Sequence, residues 1–409
     1  MSSPFPFSIK NERNHSIAVN FKAQAYSLDT YGFYSYPFFM KVVLIEIQDI
    51  KRFYPISLTH GLWEIKTGVF SQYERFRKHF GQVFVFSKRD YISSDTLPEG
   101  LKLFVDPMVK DPSSIPELKP GEVIYSKGRP VCFASETPEI PENVKRIDRD
   151  IPFYSYLHEI IEEFPDNLKK DLIQMEVKDD YPNVVKAIGR QIQIHREAKI
   201  SGEITVNAEN GPVFIGKGTK IEPYTYIEGP AFIGENCLIK AGTRIEGGVY
   251  LGNWTKVAGE IEHTIIHGYS NKQHHGFLGH SYIGEWVNLG AGTTNSDLKN
   301  NYSNIRIKIF DEEINTGLMF LGLLMGDHSK SAINTSFNTG TLAGPFSNIF
   351  TREFPPKFIP PFAWVGEKMD VYRVDKAIET ARKVMKRRGV EMDSGYEFMI
   401  KRLFEIYTQ

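Results

Sequence analysis

From residue 215 the chain places Ile215, Ile221, Ile227, Ile233, Ile239, Ile245, Leu251 and Val257 at an unbroken spacing of six. A helix repeats its face about every 3.6 residues and a strand about every two, so neither explains the pattern. A period of six fits a flat three-sided coil, with one short strand per side and one aliphatic side chain pointing inward from each. Gly216, Gly234 and Gly252 follow several of these positions and permit tight backbone at corners. Ile194, Ile200 and Val206 show the same spacing earlier, and three extra residues shift the phase before Ile215. Phe277, Ile283 and Leu289 resume it, and Phe337, Ala343 and Ile349 repeat it. The pattern predicts a parallel β-helix.

The segment before the coil follows another logic. Lys41–Ile47 reads as a buried strand, residues 62–80 as a helix with Ile65, Val69, Tyr73 and Phe76 on one face, and Gln82–Phe86 as the next strand. This order predicts a small doubly wound α/β domain, with weaker strands near 101–105, 122–125 and 130–133 and a helix over 154–164. After the coil, a proline-rich exit at 354–361 leads to helices over 371–388 and 394–407. The predicted units are an N-terminal extension (1–39), an α/β domain (40–190), the β-helix (191–366) and a helical tail (367–409). Residues 1–39 show no period, and Met40 is a candidate natural start.

A net charge of −1 gives no basic excess for nucleic acid or an anionic membrane. Two cysteines in different regions exclude a disulfide framework, and no apolar run of about 18 residues predicts a membrane helix. A cytoplasmic protein is expected.

Between Val257 and Phe277 the spacing is not a multiple of six, so a loop is expected to leave the coil there. It holds Glu260, Glu262, His263, His267, Lys272, His274 and His275, and polar excursions from rigid scaffolds commonly carry function. No characteristic zinc spacing occurs among these histidines, so no metal site is expected. Tyr282 and Trp286 read as packing residues.

The stretch His274-His-Gly-Phe-Leu-Gly-His-Ser-Tyr-Ile-Gly-Glu-Trp-Val-Asn-Leu-Gly-Ala-Gly-Thr293 resembles the acetyltransferase half of the bifunctional UDP-N-acetylglucosamine pyrophosphorylase/glucosamine-1-phosphate N-acetyltransferase family. It is more similar still to a variant branch with a shortened N-terminal domain. Residues 295–302, 320–328 and 338–341 extend the resemblance.

It implies the hand of the coil, which the period does not: an α/β N-terminal domain plus a left-handed parallel β-helix of hexapeptide repeats with C-terminal helices. It implies a homotrimer and acetyl transfer from acetyl-CoA to the amine of glucosamine 1-phosphate, within UDP-N-acetylglucosamine biosynthesis. His274 falls where the family has its general base, Asn288 and Asp297 where it contacts the sugar, and Ala291, Asp327 and Thr339 where it contacts the acyl-CoA. The base makes chemical sense, because an ammonium is no nucleophile and a group near neutral pKa must take its proton.

Two positions depart from the family. Phe277 replaces a tyrosine, and Glu262 stands about where a lysine binds phosphate; Lys256, Lys272 or Lys299 is the expected substitute. The first strand is followed by no glycine before Gly61, so the glycine-rich triphosphate loop of nucleotidyltransferases is missing. Lys51, Arg52 and Lys66 read as surface cations or phosphate contacts. A bifunctional enzyme that also uses UTP, with Mg2+ only in that case, and a non-catalytic trimeric scaffold binding a nucleotide sugar are the rival expectations.

Overall fold

The computed structural model describes residues 40–408. The expectation for residues 1–39 lies outside that range. Six strands form the N-terminal sheet: β1 (Lys41–Ile45), β2 (Val83–Phe86), β3 (Lys102–Val105), β4 (Glu122–Ser126), β5 (Arg129–Ser135) and β6 (Lys145–Asp148). Their order is β2-β1-β3-β5-β4-β6. β1 is parallel to β2 and β3, whereas β5 runs antiparallel to β3 and β4. Alternation along β1 sends Val43 and Ile45 to one side, with Phe104 and Phe133, and Val42 and Leu44 to the main core.

Helix α1 is shorter than expected and runs Gln72–Phe80. Its start is set by a capping box: Ser71 Oγ accepts from the Glu74 amide, and the Glu74 carboxylate accepts from the Ser71 amide at 2.6 Å. Residues Leu62–Glu64 form only a 3-10 turn. The next helix, α2, covers Leu157–Gln174.

The six-residue period folds as a three-sided parallel coil. The first face is a nine-stranded sheet running from Ile192–Ile194 to Phe358–Ile359. The second face begins at Lys199–Ile200 and the third at Val185–Ile188. Ile221, Ile239 and Val257 fill the interior from the second face, Ile227, Ile245 and Ile261 from the third, and all are fully buried. Each such side chain contributes roughly 1.5–3 kcal/mol by leaving water.

No loop leaves the coil between Val257 and Phe277. The chain makes a full turn there through Glu260–Glu262, Ile265–Gly268 and Asn271–Lys272 before re-entering at Phe277–Gly279. The inward residues are Val257, Ile261, Ile266, Lys272 and Leu278. Two shortened sides and a lysine at an aliphatic position hide this turn from a strict search for six. The excursion lies later, over residues 296–322, and carries an antiparallel hairpin, Arg306–Ile309 with Glu312–Asn315.

The glycines also act differently from the expectation. Gly252 has no left-handed φ; instead a Cβ there would collide with the His267 carbonyl of the next coil. The left-handed positions on the edge between first and second faces are mostly bulky: Trp254, Tyr269, Trp286, His328, Phe346 and Phe362 all have φ between 52° and 63°. Such a φ is costly for large side chains. A column of stacked rings offsets it, with Trp286 against Tyr269 at 4.2 Å and His328 against Phe346 at 5.0 Å.

The N-terminal sheet and α2 pack on the first face. Phe232, Tyr250, Tyr282 and Leu324 of that face join the same core as Phe53, Trp63 and Phe164. Tyr54 Oη donates to the Ile359 carbonyl at 2.6 Å, and the Lys66 amide donates to Tyr282 Oη at 2.9 Å. After the coil come α3 (Val374–Lys386) and α4 (Ser394–Tyr407), and His328 Nε2 meets Tyr396 Oη of α4 at 3.0 Å.

Candidate active site

The chain leaves the second face at Lys272 and turns through residues 273–276 to the third. Lys272 is 3% exposed and stands in register with Val257. Its ammonium donates to the Ala258 carbonyl at 3.2 Å and the His274 carbonyl at 2.7 Å. Burial brings its pKa down to about 8. A buried cation is tolerable only when it is so satisfied, and the consequence is that the backbone of His274 is pinned from beneath. Gly276, at φ 124°, completes the turn; a Cβ would strike the Thr293 carbonyl of the following coil. The side chains of His274 and His275 are exposed.

One rung further, the same edge turns through Gly290, Ala291 and Gly292. The Ala291 carbonyl accepts from the Asn334 amide at 2.7 Å, and the Gly290 amide donates to Ser331 Oγ at 3.0 Å. Among the described residues no acceptor meets the Ala291 amide. Asn288, exposed, bridges the rungs of Asn271 and Lys330 on the second face. Lys256 precedes Asn271 in the same outward column. His274 and Ala291 therefore lie on consecutive rungs of this edge, with Lys272 beneath and with Asn288 and Lys256 on the adjoining second face.

The remaining sequence candidates lie elsewhere. Asp297 accepts from His280 Nδ1 at 2.8 Å on the edge between third and first faces, and His280 is stacked between His263 and Phe320. Lys299 donates to the Asn304 carbonyl within the excursion. Thr339 is 5% exposed. Asp327 is 2% exposed and faces His60 of the N-terminal domain at 2.8 Å, so its carboxylate is enclosed by this chain.

The two faces that meet at His274 differ in charge, the third being the more acidic although Arg244 pairs with Glu246 there. Glu228, Glu246 and Glu262 form one column on the third face. Burial raises the Glu262 pKa; His280 opposes this, and Asp297, Glu246 and Glu260 raise it further. The second face instead shows Lys199, Lys220, Leu238 and Lys256 in one column, so Lys220 and Lys256 are two rungs apart. A phosphate fits the second face and is repelled by the third.

In the N-terminal domain, a cavity of about 210 Å³ lies beyond the carboxyl end of β1, lined by Gln48, Asp49, Arg52 and Arg129. Beside it, Asp106 accepts from the amides of Ile47, Gln48 and Met108 at 2.8–3.0 Å. Burial raises its pKa to about 6, against those bonds. The carboxylate holds the turn after β1 in place of a glycine-rich loop. Lys66, one of the surface candidates, is paired with Glu74 at 2.9 Å.

Sequence reasoning passed over His60, Asn271 and Lys330. Arg388 lies in the basic run Lys383, Lys386, Arg387 and Arg388, which in the sequence reads as a solvated helix end or a phosphate or CoA contact, but nothing in that run indicates that its guanidinium donates to Asn271 Oδ1, 117 residues away, at 2.8 Å.

Residues 212–247 match the family described as bacterial transferase hexapeptide (six repeats). The chain is 26% identical over 297 residues to a bifunctional sugar-1-phosphate nucleotidylyltransferase/acetyltransferase of Sulfurisphaera tokodaii, a match covering 66% of this chain and 72% of that protein. Among solved structures, the Francisella novicida UDP-N-acetylglucosamine acyltransferase is 14% identical, with a TM-score of 0.29 over 53% of this chain and 88% of that one. The acetyltransferase domain of PglB from Neisseria gonorrhoeae, solved with acetyl coenzyme A, is 12% identical, with a TM-score of 0.17 over 72% of this chain and 96% of that one. Among the described residues no helix is long and apolar enough to cross a membrane.

Proposed function

We propose that this chain, which matches the hexapeptide-repeat model over residues 212–247 and is similar to a bifunctional sugar-1-phosphate nucleotidylyltransferase/acetyltransferase, transfers an acetyl group from acetyl-CoA to the amine of a glucosamine 1-phosphate-like sugar. The observation that carries this reading is the meeting of His274 and the unengaged Ala291 amide on consecutive rungs of one edge.

In this reading the neutral amine attacks the thioester carbonyl while the His274 imidazole takes the proton released as the N–C bond forms. The Ala291 N–H donates to the oxyanion of the tetrahedral intermediate. Collapse breaks the C–S bond, and the imidazolium returns its proton to the departing thiolate. Asn288 orients the sugar hydroxyls, and cations of the second face hold phosphate. Lys272 acts through the backbone of His274 as a positioning residue. A homotrimer, with the edge of each coil facing a neighbour, and a place in nucleotide-sugar biosynthesis belong to the same proposal.

The test is thiol release from acetyl-CoA with a panel of amino-sugar phosphates. Release that requires one of these acceptors supports the reading; none with any acceptor rejects it.

A second reading, in which the N-terminal domain transfers a nucleotidyl group, is favoured by the arginine-lined cavity at the end of β1. Ligands of open α/β sheets bind outside the carboxyl ends of strands. Asp106 fits Mg2+ poorly, because its carboxylate is engaged by three amides. Pyrophosphate release from UTP and a sugar phosphate decides this reading, and no turnover with any nucleotide rejects it.

A further inference from the structure

Helix α3 ends against the second face, and the cations gathered there lack counter-charges. Most other cations of α3 are matched, Lys386 being the exception among the described residues. Arg373 pairs with Asp375, Lys376 and Lys383 with Glu379, and Arg382 with Glu397. Among the described residues no carboxylate pairs with Lys220, Lys256, Arg387 or Arg388. Lys256 is drawn down in pKa first by burial and then by the neighbouring cations Arg388, Arg387, Lys220 and Lys240, of which Lys240 is itself paired with Glu222. Arg388 is lowered by burial and then by Arg387.

Like charges held together cost free energy, and the helix dipole offsets only a part at Arg387 and Arg388. The arrangement is nevertheless built. Arg388 is fixed by Asn271 Oδ1 at 2.8 Å, and Asn271 is the rung next to Lys256. Neighbouring rungs lie about 4.8 Å apart, so one phosphate group can meet both side chains. Asn271 is also three residues from His274.

We propose that Lys256, Arg387 and Arg388 form a phosphate cradle, completed by the C-terminal helix, that holds a phosphate-bearing substrate of the acyl transfer beside His274. The inference rests on the acyltransferase reading for its role, but phosphate binding itself does not depend on it. The phosphate belongs to the nucleotide end of the acyl donor or to the acceptor sugar, and both present the same anion to this face.

The experiment is titration calorimetry of the full chain with inorganic pyrophosphate, comparing wild type, Arg387→Ala/Arg388→Gln, Arg388→Lys and the ion-paired control Arg382→Ala. Loss of two charge-assisted contacts predicts an affinity at least about tenfold weaker in the double variant, part recovery with lysine and no change in the control. Unchanged thermal midpoints without pyrophosphate establish that the variants fold. Equal affinity in wild type and double variant overturns the cradle, as does equal loss in the control.

Kinetics separate the two phosphate sources. A raised KM for acetyl-CoA but not the sugar assigns the donor, and the reverse assigns the acceptor. Pyrophosphate binding that needs Arg388 in a protein without acyl transfer leaves the cradle standing and removes the acyltransferase reading.

Discussion

His60 Nε2 of the N-terminal domain and Asp327 Oδ2 of the β-helix meet at 2.8 Å, both within the interior. Burial alone depresses the imidazole, but Asp327 and Glu64 outweigh it and hold His60 well above its usual value. Burial raises Asp327 and His60 outweighs that, so the carboxyl stays below its usual range. Around the pair, His267 Nε2 meets Tyr282 Oη at 2.7 Å, and Glu285 donates its amide to Asp327 Oδ1. The contact between the two parts of the chain thus holds an ion pair at its centre, polar groups around that pair and the apolar core beyond them.

Removing one partner of this pair is predicted to strand the other charge. Asp327→Leu or His60→Leu alone is expected to cost about 3–5 kcal/mol, because an uncompensated buried ion remains. The double replacement is expected to cost clearly less than the sum of the singles. Denaturant unfolding of the four proteins measures the coupling, and additive losses contradict it.

The pH dependence has a definite sign on each side. Burial, aided by Asp327 and Glu64 and opposed by His60, raises Glu285 to about 7. The folded state then binds this proton more tightly, so stability present below about pH 4.5 is lost as pH rises to about 7. His60, also raised, contributes stability that is full below about pH 6.5 and lost as pH rises through its higher folded value. On the acid side, burial holds His263 and His158 at about 4 and His328 at about 3. Their stability is lost as pH falls from about 6.5 toward those values. Thermal midpoints across pH 4 to 9 are therefore expected to fall at both ends. Glu285→Gln is expected to flatten the slope between about pH 4.5 and 7; an unchanged slope there counts against the assignment.

Lys272→Met is predicted to keep the coil intact while releasing the His274 turn. Methionine fills the inward position but donates to neither carbonyl. The expected result is a kcat lower by about tenfold or more with KM little changed, since misplacement of a base by a fraction of an ångström suffices. A raised KM with kcat preserved points instead to Lys272 as a substrate contact.

Gly252→Ala is predicted to prevent close stacking of successive coils, since its Cβ has no room beside the His267 carbonyl. A loss of several kcal/mol, on the order of 3 or more, is expected. Gly242→Ala is the milder partner: no atom lies within 4 Å of its Cβ, and only its φ of 71° resists. Urea unfolding of both decides whether space or φ governs; equal losses argue against the packing explanation.

The coil was legible because eight interior residues of one chemical class recur at one interval, and burial of each is a local consequence of that interval. The turn through Lys272 was not, because hydrophobic periodicity cannot register an interior position held by an ammonium under two carbonyls. The aromatic corners escaped for a related reason: Trp286 and Phe346 adopt a left-handed φ only because rings stack between coils. The start of α1 could have been read from Ser71 and Glu74, whose capping box is a sequence signal. His60 with Asp327, and Asn271 with Arg388, join distant segments, and no local pattern carries such pairings. At the edge itself, the segment 274–293 indicated His274, Asn288 and Ala291 together; the structure puts His274 and Ala291 on consecutive rungs of one edge, Asn288 on the face beside it, and Asp297 and Asp327 apart.

The most direct measurement is single-turnover thiol release from acetyl-CoA with glucosamine 1-phosphate, wild type beside His274→Ala, each with its thermal midpoint recorded. Release by wild type, a loss of about a hundredfold or more in the variant and an unchanged midpoint are the predicted result. Equal rates in the two proteins contradict His274 as the base, and no release by wild type with this or any amino-sugar phosphate contradicts acyl transfer at this edge.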